Sequence, residues 1–177
     1  MPTTSPYPRR EFGEPAPLEP RPMSESKSLI SQVMLPNDAN PMGNVHGGAV
    51  MRLVDVGAAV AAMRHSRRQV VTVALDHMSF LEPVYIGDLI TITSQVEYVG
   101  KTSMLVRAVV EAENPTSGRK VVTSNCVLTF VALGDDGRPS FERLQSRMHL
   151  ASDSAVKRHV RDTSPAKRPS VAASRTQ

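Results

Sequence analysis

The sequence predicts an α+β domain in which a curved antiparallel sheet of five or six strands wraps round one long central helix. Three observations carry this prediction. Apolar residues occupy nearly every face of residues 47–63, four later segments alternate apolar and polar residues, and short links join those segments. A long segment that is apolar on most faces indicates a buried helix, and alternating segments with short links indicate antiparallel hairpins.

The elements follow in order along residues 28–144. Leu29–Leu35 alternates weakly and predicts a first strand, and prolines, asparagines and a glycine predict a loop over residues 36–44. Length and alanine content favour a helix over Gly47–Met63. Alternation then predicts four strands, at Val70–Leu81, Asp88–Val99, Ser103–Glu113 and Arg119–Leu133.

Both ends of the chain differ in composition from this domain. Residues 1–27 hold seven of the 14 prolines, which predicts disorder. The net charge of +4 originates in residues 145–177, which contain seven basic and two acidic residues. The middle of the chain is close to neutral. A mostly disordered basic tail with no aromatic interleaving does not predict a nucleic-acid partner for the domain.

The lengths of the apolar segments and the cysteine content also indicate the cellular location of the protein. The strongly apolar segment Val54–Met63 is too short to span a bilayer and contains Asp55, so no membrane partner is expected. No signal peptide is predicted in residues 1–27. The lone cysteine, Cys126, lies in an apolar run and is interpreted as a core residue. These features together favour a cytoplasmic protein.

The segment from Asn40 to Asp55 carries the candidate chemistry. A polar loop leads through His46 and the glycine pair Gly47-Gly48 into the predicted helix, and Asp55 is a single acid inside that helix. An acid in an apolar helix loses solvation and becomes a stronger base. No histidine spacing suggests a metal site.

At this point the motifs resemble a known family. Residues 38–40, 43–48 and 50–55, followed by 71–76, 80–88 and 100–104, are similar in order to the hotdog-fold acyl-CoA thioesterases. The nearest group is the cytosolic, brain-type acyl-CoA hydrolases with their bacterial YciA-like relatives. The resemblance covers residues 29–131.

The resemblance implies hydrolysis of fatty acyl-CoA to a free fatty acid and CoA, with no cofactor. It implies a homo-oligomer that is at least a dimer, commonly a trimer of dimers in this family, with active sites at the subunit interface. It assigns Asn40 and Asp55 as a catalytic pair contributed by opposite subunits. Asp55 would activate water or attack directly, and the residues leave this choice open.

Further roles follow from the chemistry of a thioester. Free N–H groups at the helix start, on Gly48 and Gly47, would hold the developing oxyanion, and His46 would line the pocket or cap the helix. The hairpin Gly100-Lys101-Thr102-Ser103 would contact CoA phosphates, and Arg64 would meet the nucleotide end. The alternative for the hairpin is an ordinary solvated turn. The alternative for Arg64 is a cation that interacts with the negative end of the helix dipole.

Two other functions remain open. A hotdog hydratase typically pairs an acid with a histidine in the loop–helix region, whereas the histidine nearest Asp55 here, His46, precedes the helix. A non-enzymatic acyl-CoA sensor would bind the thioester without turnover. Such sensors are usually fused to a DNA-binding segment, and the proline-rich residues 1–27 do not resemble one.

Overall fold

The computed structural model describes residues 21–100, 102–134 and 137–139. The predictions for residues 1–20, for Lys101 and for the basic tail at 145–177 lie outside the described residues. Among the helices that are described, none is long and apolar enough to cross a membrane.

One helix and five strands form the domain. The helix α1 is Gly47–Ser66, and the strands are β1 Ser28–Val33, β2 Gln69–Phe80, β3 Leu89–Val99, β4 Ser103–Glu113 and β5 Lys120–Leu133. All pairings are antiparallel, in the order β1-β3-β4-β5-β2. The predicted fold, with five strands, is confirmed, and the bounds of β4 agree with the prediction at both ends.

The core lies between α1 and one face of the sheet. Every second residue of β4 from Met104 to Ala112 is buried, as the alternation predicts. Gly57 lets the helix approach β3 closely, because a Cβ at this position would lie 3.2 Å from Ile92 Cγ2 and 3.3 Å from Ser94 Oγ. The absence of a side chain at Gly57 therefore sets the distance between α1 and the sheet.

The helix is longer and more exposed than predicted. It continues three residues beyond Met63 and ends where Arg67 takes a left-handed conformation, with φ of 52°. In the single chain Met51, Val56 and Met63 remain exposed, so one helix face lacks the cover that the all-round apolar pattern predicted.

The folded part of the chain also begins earlier than predicted. Met23–Ser26 forms a 3-10 helix that packs against α1 and β3. Ser26 is fully buried, and its Oγ accepts a 2.9 Å hydrogen bond from Val96 N–H. The expectation of disorder up to residue 27 therefore fails for residues 21–27, where the buried Ser26 hydroxyl, the packing of Met23 on the core and the bond from Arg64 to the Lys27 carbonyl hold the segment.

Chain direction divides the loops between two ends of the sheet. Because neighbouring strands are antiparallel, the loops at 34–46, 81–88 and 114–119 lie at the end where α1 begins. Residues 21–27 and the hairpin at 100–102 lie at the end where α1 finishes. This division decides which predicted site residues can meet within one chain.

Candidate active site

A rigid turn presents Asn40. Its backbone N–H donates to Asn44 O at 2.7 Å, and Gly43, with φ of +86°, donates back to Asn40 O at 3.0 Å. The Asn40 side-chain Oδ1 accepts from the N–H groups of Met42 (2.9 Å) and Asn44 (3.2 Å). The Asn40 amide oxygen is therefore used to hold the turn, and the Nδ2 donor makes no hydrogen bond to the described residues.

His46 joins this turn to the helix. Its N–H donates to Asp38 O at 2.7 Å, and its Nδ1 accepts a 3.0 Å hydrogen bond from Gly48 N–H as the N-cap of α1. Of the two alternatives for His46, helix capping is thus the one observed. Acceptance at Nδ1 requires that this nitrogen carries no proton.

The cap changes which N–H is available for an oxyanion. Gly47 and Gly48 were both predicted as donors, but the Gly48 N–H is occupied by His46. For Gly47 N–H no acceptor is found within the described part of the chain. Of the two predicted donors, the one that remains free at the positive end of the helix dipole is therefore Gly47.

A cleft of about 350 Å³ opens beside this donor. Asn40, Asn44, Gly47 and Glu82 line it, together with apolar residues of α1, of the end of β2 and of the two adjoining loops: Val45, Val50, Phe80, Leu81, Pro83 and Val84. The Phe80 ring lies so close to Gly47 that a Cβ there would be 3.4 Å from the ring. A polar amide and a free N–H at a largely apolar cleft suit a ligand with one carbonyl and a hydrocarbon part.

Asp55 lies two turns further along α1 and does not line this cleft. Its Oδ1 accepts a 2.7 Å hydrogen bond from the Thr72 hydroxyl. Thr72 stands beside a bulge in the β2–β5 ladder, between Thr72 and Ala74, and bulges often re-aim a side chain at a functional site. Asp55 is exposed in the single chain, so the predicted loss of solvation is not present there.

Thr72 was missed by the sequence reasoning. It lies 17 residues beyond Asp55 on a strand whose order relative to the helix is fixed only by the fold. The one available signal is a hydroxyl residue near the start of a strand that follows the helix.

Two groups of predicted CoA-binding residues lie elsewhere. Gly100, Thr102 and Ser103 are at the far end of the sheet, and Gly100 N–H closes the hairpin on Ser103 O at 2.7 Å; Lys101 lies outside the described residues. Arg64 uses its guanidinium to bond the Lys27 carbonyl, which ties the amino-terminal segment to α1. Within one chain, neither group meets Asn40.

Two further ionisable groups are buried. Burial raises the pKa of the Cys126 thiol to about 11, so this side chain is a core residue, as predicted, with little thiolate at neutral pH. Burial, with a contribution from Arg21, lowers the pKa of His65 in the last turn of α1. Among the described residues no group of three or more His, Cys, Asp or Glu could hold a metal ion.

Comparison with known proteins decides the family. Residues 42–119 match the Thioesterase superfamily. An uncharacterized acyl-CoA thioester hydrolase of Bacillus subtilis is 36% identical over 121 residues, which are 68% of this chain and 70% of that protein. The chain belongs to the thioesterase superfamily.

Solved structures agree with this assignment. The acyl-CoA hydrolase of Staphylococcus aureus, crystallised with butyryl-CoA and CoA, is 32% identical with a TM-score of 0.72 over 81% of this thioesterase chain and 90% of that one. A hexameric hotdog fold thioesterase of Campylobacter jejuni is 35% identical with a TM-score of 0.60, over 63% and 86% of the two chains. The predicted hotdog family is therefore confirmed.

The cytosolic relatives are also among the matches. The human cytosolic acyl coenzyme A thioester hydrolase is 30% identical over 122 residues, or 68% of this chain. Those residues make up 32% of the human protein, so this chain spans about a third of its length.

The Staphylococcus aureus hydrolase was also crystallised as three alanine variants. The replaced residues are an asparagine, an aspartate and a threonine, separated by 15 and 17 positions along that chain. In this thioesterase chain Asn40, Asp55 and Thr72 are separated by the same 15 and 17 positions. The three residues thus share both type and spacing with those changed in the relative.

Proposed function

We propose that this chain hydrolyses acyl-CoA thioesters to a fatty acid and free CoA, at a site built from Asn40 and Gly47 of one subunit and Asp55 of another. The observation that carries the proposal is the Asp55–Thr72 pair together with Asn40 at the spacing of the three residues changed in the Staphylococcus aureus hydrolase. The family assignment supplies the reaction class, thioester hydrolysis.

The groups on this chain suffice for the chemistry. Asp55 accepts a proton from water as the water oxygen attacks the thioester carbon, while Thr72 holds the carboxylate in place. Gly47 N–H and Asn40 Nδ2 donate to the carbonyl oxygen as it becomes negative. When the tetrahedral intermediate collapses, the C–S bond breaks and the proton on Asp55 passes to the CoA sulfur. No step requires a metal or a further cofactor.

A shared site follows from the separation of Asn40 and Asp55. The strand β2 is a free edge of the sheet, and its Val71, Val73 and Leu75 are exposed. Apolar side chains on an unpaired edge favour pairing with a second copy. Antiparallel pairing of two β2 strands reverses the second subunit, so that its Asp55 and its 100–103 hairpin approach Asn40 of the first.

The assembly is thus proposed to be a homo-oligomer of at least two chains. The hexameric state of the Campylobacter jejuni relative supports a trimer of such dimers. Cytoplasmic location is proposed by analogy with the human cytosolic relative.

Thiol release from a panel of acyl-CoAs of increasing chain length tests the activity. The wild type is expected to release thiol, and Asp55→Asn is expected to lower kcat at least about a hundredfold, since it removes the general base. Glu111→Gln, which removes an exposed acid that does not line the cleft, is the matched control and should retain activity. Tight acyl-CoA binding without thiol release in the wild type would refute the proposal in favour of a sensor.

The role of Asp55 is tested separately by a single turnover in ¹⁸O-labelled water. A general base delivers labelled oxygen to the fatty acid in the first turnover. A nucleophilic Asp55 instead forms an anhydride, and hydrolysis of the anhydride at the Asp55 carbonyl leaves the first fatty acid unlabelled.

A further inference from the structure

Glu82 is the one acidic residue among the described residues that line the candidate active-site cleft. The other described residues that line this cleft are apolar or uncharged. Asp55, the proposed base, is not among them. The part of the cleft that one chain contributes therefore carries a negative charge, which comes from Glu82.

The position of Glu82 is fixed although its side chain is free. Glu82 directly follows the turn out of β2, where Leu81 N–H donates to Thr123 O at 2.8 Å and anchors the segment to β5. Its carboxylate takes part in none of the ion pairs or hydrogen bonds found among the described residues. Since no cation within the described chain neutralises it, its charge acts on whatever enters the cleft.

The basic residue Arg119 borders a different cleft. Arg119 lines a neighbouring cleft of about 360 Å³ that shares only Glu82 and Pro83 with the first. That second cleft also holds Asp88, whose Oδ2 accepts a 2.9 Å hydrogen bond from Tyr85 N–H. Arg119 is not among the residues that line the cleft of Asn40 and Gly47.

We propose that Glu82 is a specificity-determining residue that selects uncharged acyl groups against acyl groups carrying a second carboxylate. This inference rests on the proposed function, because it requires the thioester carbonyl to lie at Asn40 and Gly47. The first carbons of the acyl group then lie along the apolar wall of Phe80 and Leu81, and a terminal carboxylate three bonds away enters the field of Glu82. Two like charges about 7 Å apart repel enough even in a water-like medium to change a rate constant about threefold, and more where water is excluded.

Butyryl-CoA and succinyl-CoA provide a matched test, since both acyl groups have four carbons and only the second carries a carboxylate. The ratio of kcat/KM for butyryl-CoA to that for succinyl-CoA is measured after subtraction of spontaneous hydrolysis. Glu82→Gln is expected to lower this ratio at least about threefold, and Glu82→Lys to lower it further by attraction. Glu111→Gln, with the same change in net charge, is expected to leave the ratio unchanged.

Ionic strength gives an independent readout. Raising the salt concentration from 0.01 to 0.5 M should reduce the ratio in the wild type, because salt screens the repulsion, and should leave it nearly constant in Glu82→Gln. A ratio that is the same in the wild type, Glu82→Gln and Glu82→Lys would overturn the inference while leaving the thioesterase intact. If the wild type releases thiol from neither substrate, the proposed function itself fails, and these two failures are distinguished by the butyryl-CoA rate alone.

Discussion

The hydroxyl of Thr72 donates a 2.7 Å hydrogen bond to Asp55 Oδ1, which joins the edge strand β2 to the middle of α1. The bond occupies one carboxylate oxygen, and the described residues offer no hydrogen bond to the other. One oxygen thereby fixes the orientation of the carboxylate, and the other remains available to water. Thr72 is in this sense a positioning residue for the proposed base.

Replacing Thr72 by valine keeps the shape of the side chain and removes the hydroxyl. We expect kcat to fall roughly tenfold with little change in KM, because a hydrogen bond to a charged group contributes about 1.5–3 kcal/mol and part of this is recovered from water at an exposed site. Steady-state thiol release measures the effect. Thr72→Ser should restore most of kcat, and Thr91→Val, which removes an exposed hydroxyl bonded to Ser31, should leave it unchanged.

Asn40 has two functions that one substitution separates. Asn40→Asp retains the Oδ1 acceptor that holds the turn through Met42 and Asn44, and it removes the Nδ2 donor. We therefore expect a melting temperature close to that of the wild type and a loss of kcat of about a hundredfold, since one oxyanion donor is lost. Asn40→Ala should lose both stability and activity. Full activity in Asn40→Asp would assign Asn40 to the turn alone.

The free edge of β2 should control assembly. Val73 is 55% exposed on this strand, next to Thr72. Val73→Lys places a charge on the edge, so we expect light scattering to report a smaller species and thiol release to fall with it. Val122→Lys, a similarly exposed position on β5, is the control and should retain the wild-type mass. A fully active monomeric Val73→Lys would contradict a site shared between subunits.

Burial of His65 makes stability depend on pH. The pKa of His65 is lowered in the folded chain, so below about pH 6.5 the unfolded chain binds a proton that the folded chain does not. The free energy of unfolding should therefore fall as the pH drops from 7.5 to 5.5, by at most about 1.4 kcal/mol per pH unit. Urea unfolding at the two pH values measures the slope, and His65→Leu should flatten it. An equal slope in both proteins would exclude His65 as the cause.

Periodicity predicts the fold well because it reports burial directly. Alternation located β4 correctly at both ends, and the apolar run located the start of α1 at Gly47. Periodicity does not report which single polar groups meet. The Ser26–Val96 bond, the capping of Gly48 by His46 and the use of Arg64 to hold Lys27 each depend on one contact between distant or differently oriented groups.

The same limit applies to the candidate site. The family resemblance predicted Asn40 and Asp55, and the chemistry of a thioester predicted the glycine pair. The choice of Gly47 over Gly48 as the free donor and the Thr72 partner of Asp55 required coordinates. The exposed state of Asp55 in one chain was also beyond the sequence, because an apolar helix pattern does not distinguish burial against the chain's own sheet from burial against a second copy.

The central claim, that one active site combines Asn40 and Asp55 from two subunits, is tested most directly by mixing two inactive variants. Asn40→Ala and Asp55→Asn are each purified, dissociated together in mild denaturant and allowed to reassociate before thiol release from butyryl-CoA is measured. A mixed dimer carries one site in which both residues are intact, so random reassociation is expected to restore about a quarter of wild-type activity. Activity in the mixture no higher than in the separate variants, with mixed oligomers present by mass spectrometry, would contradict the account.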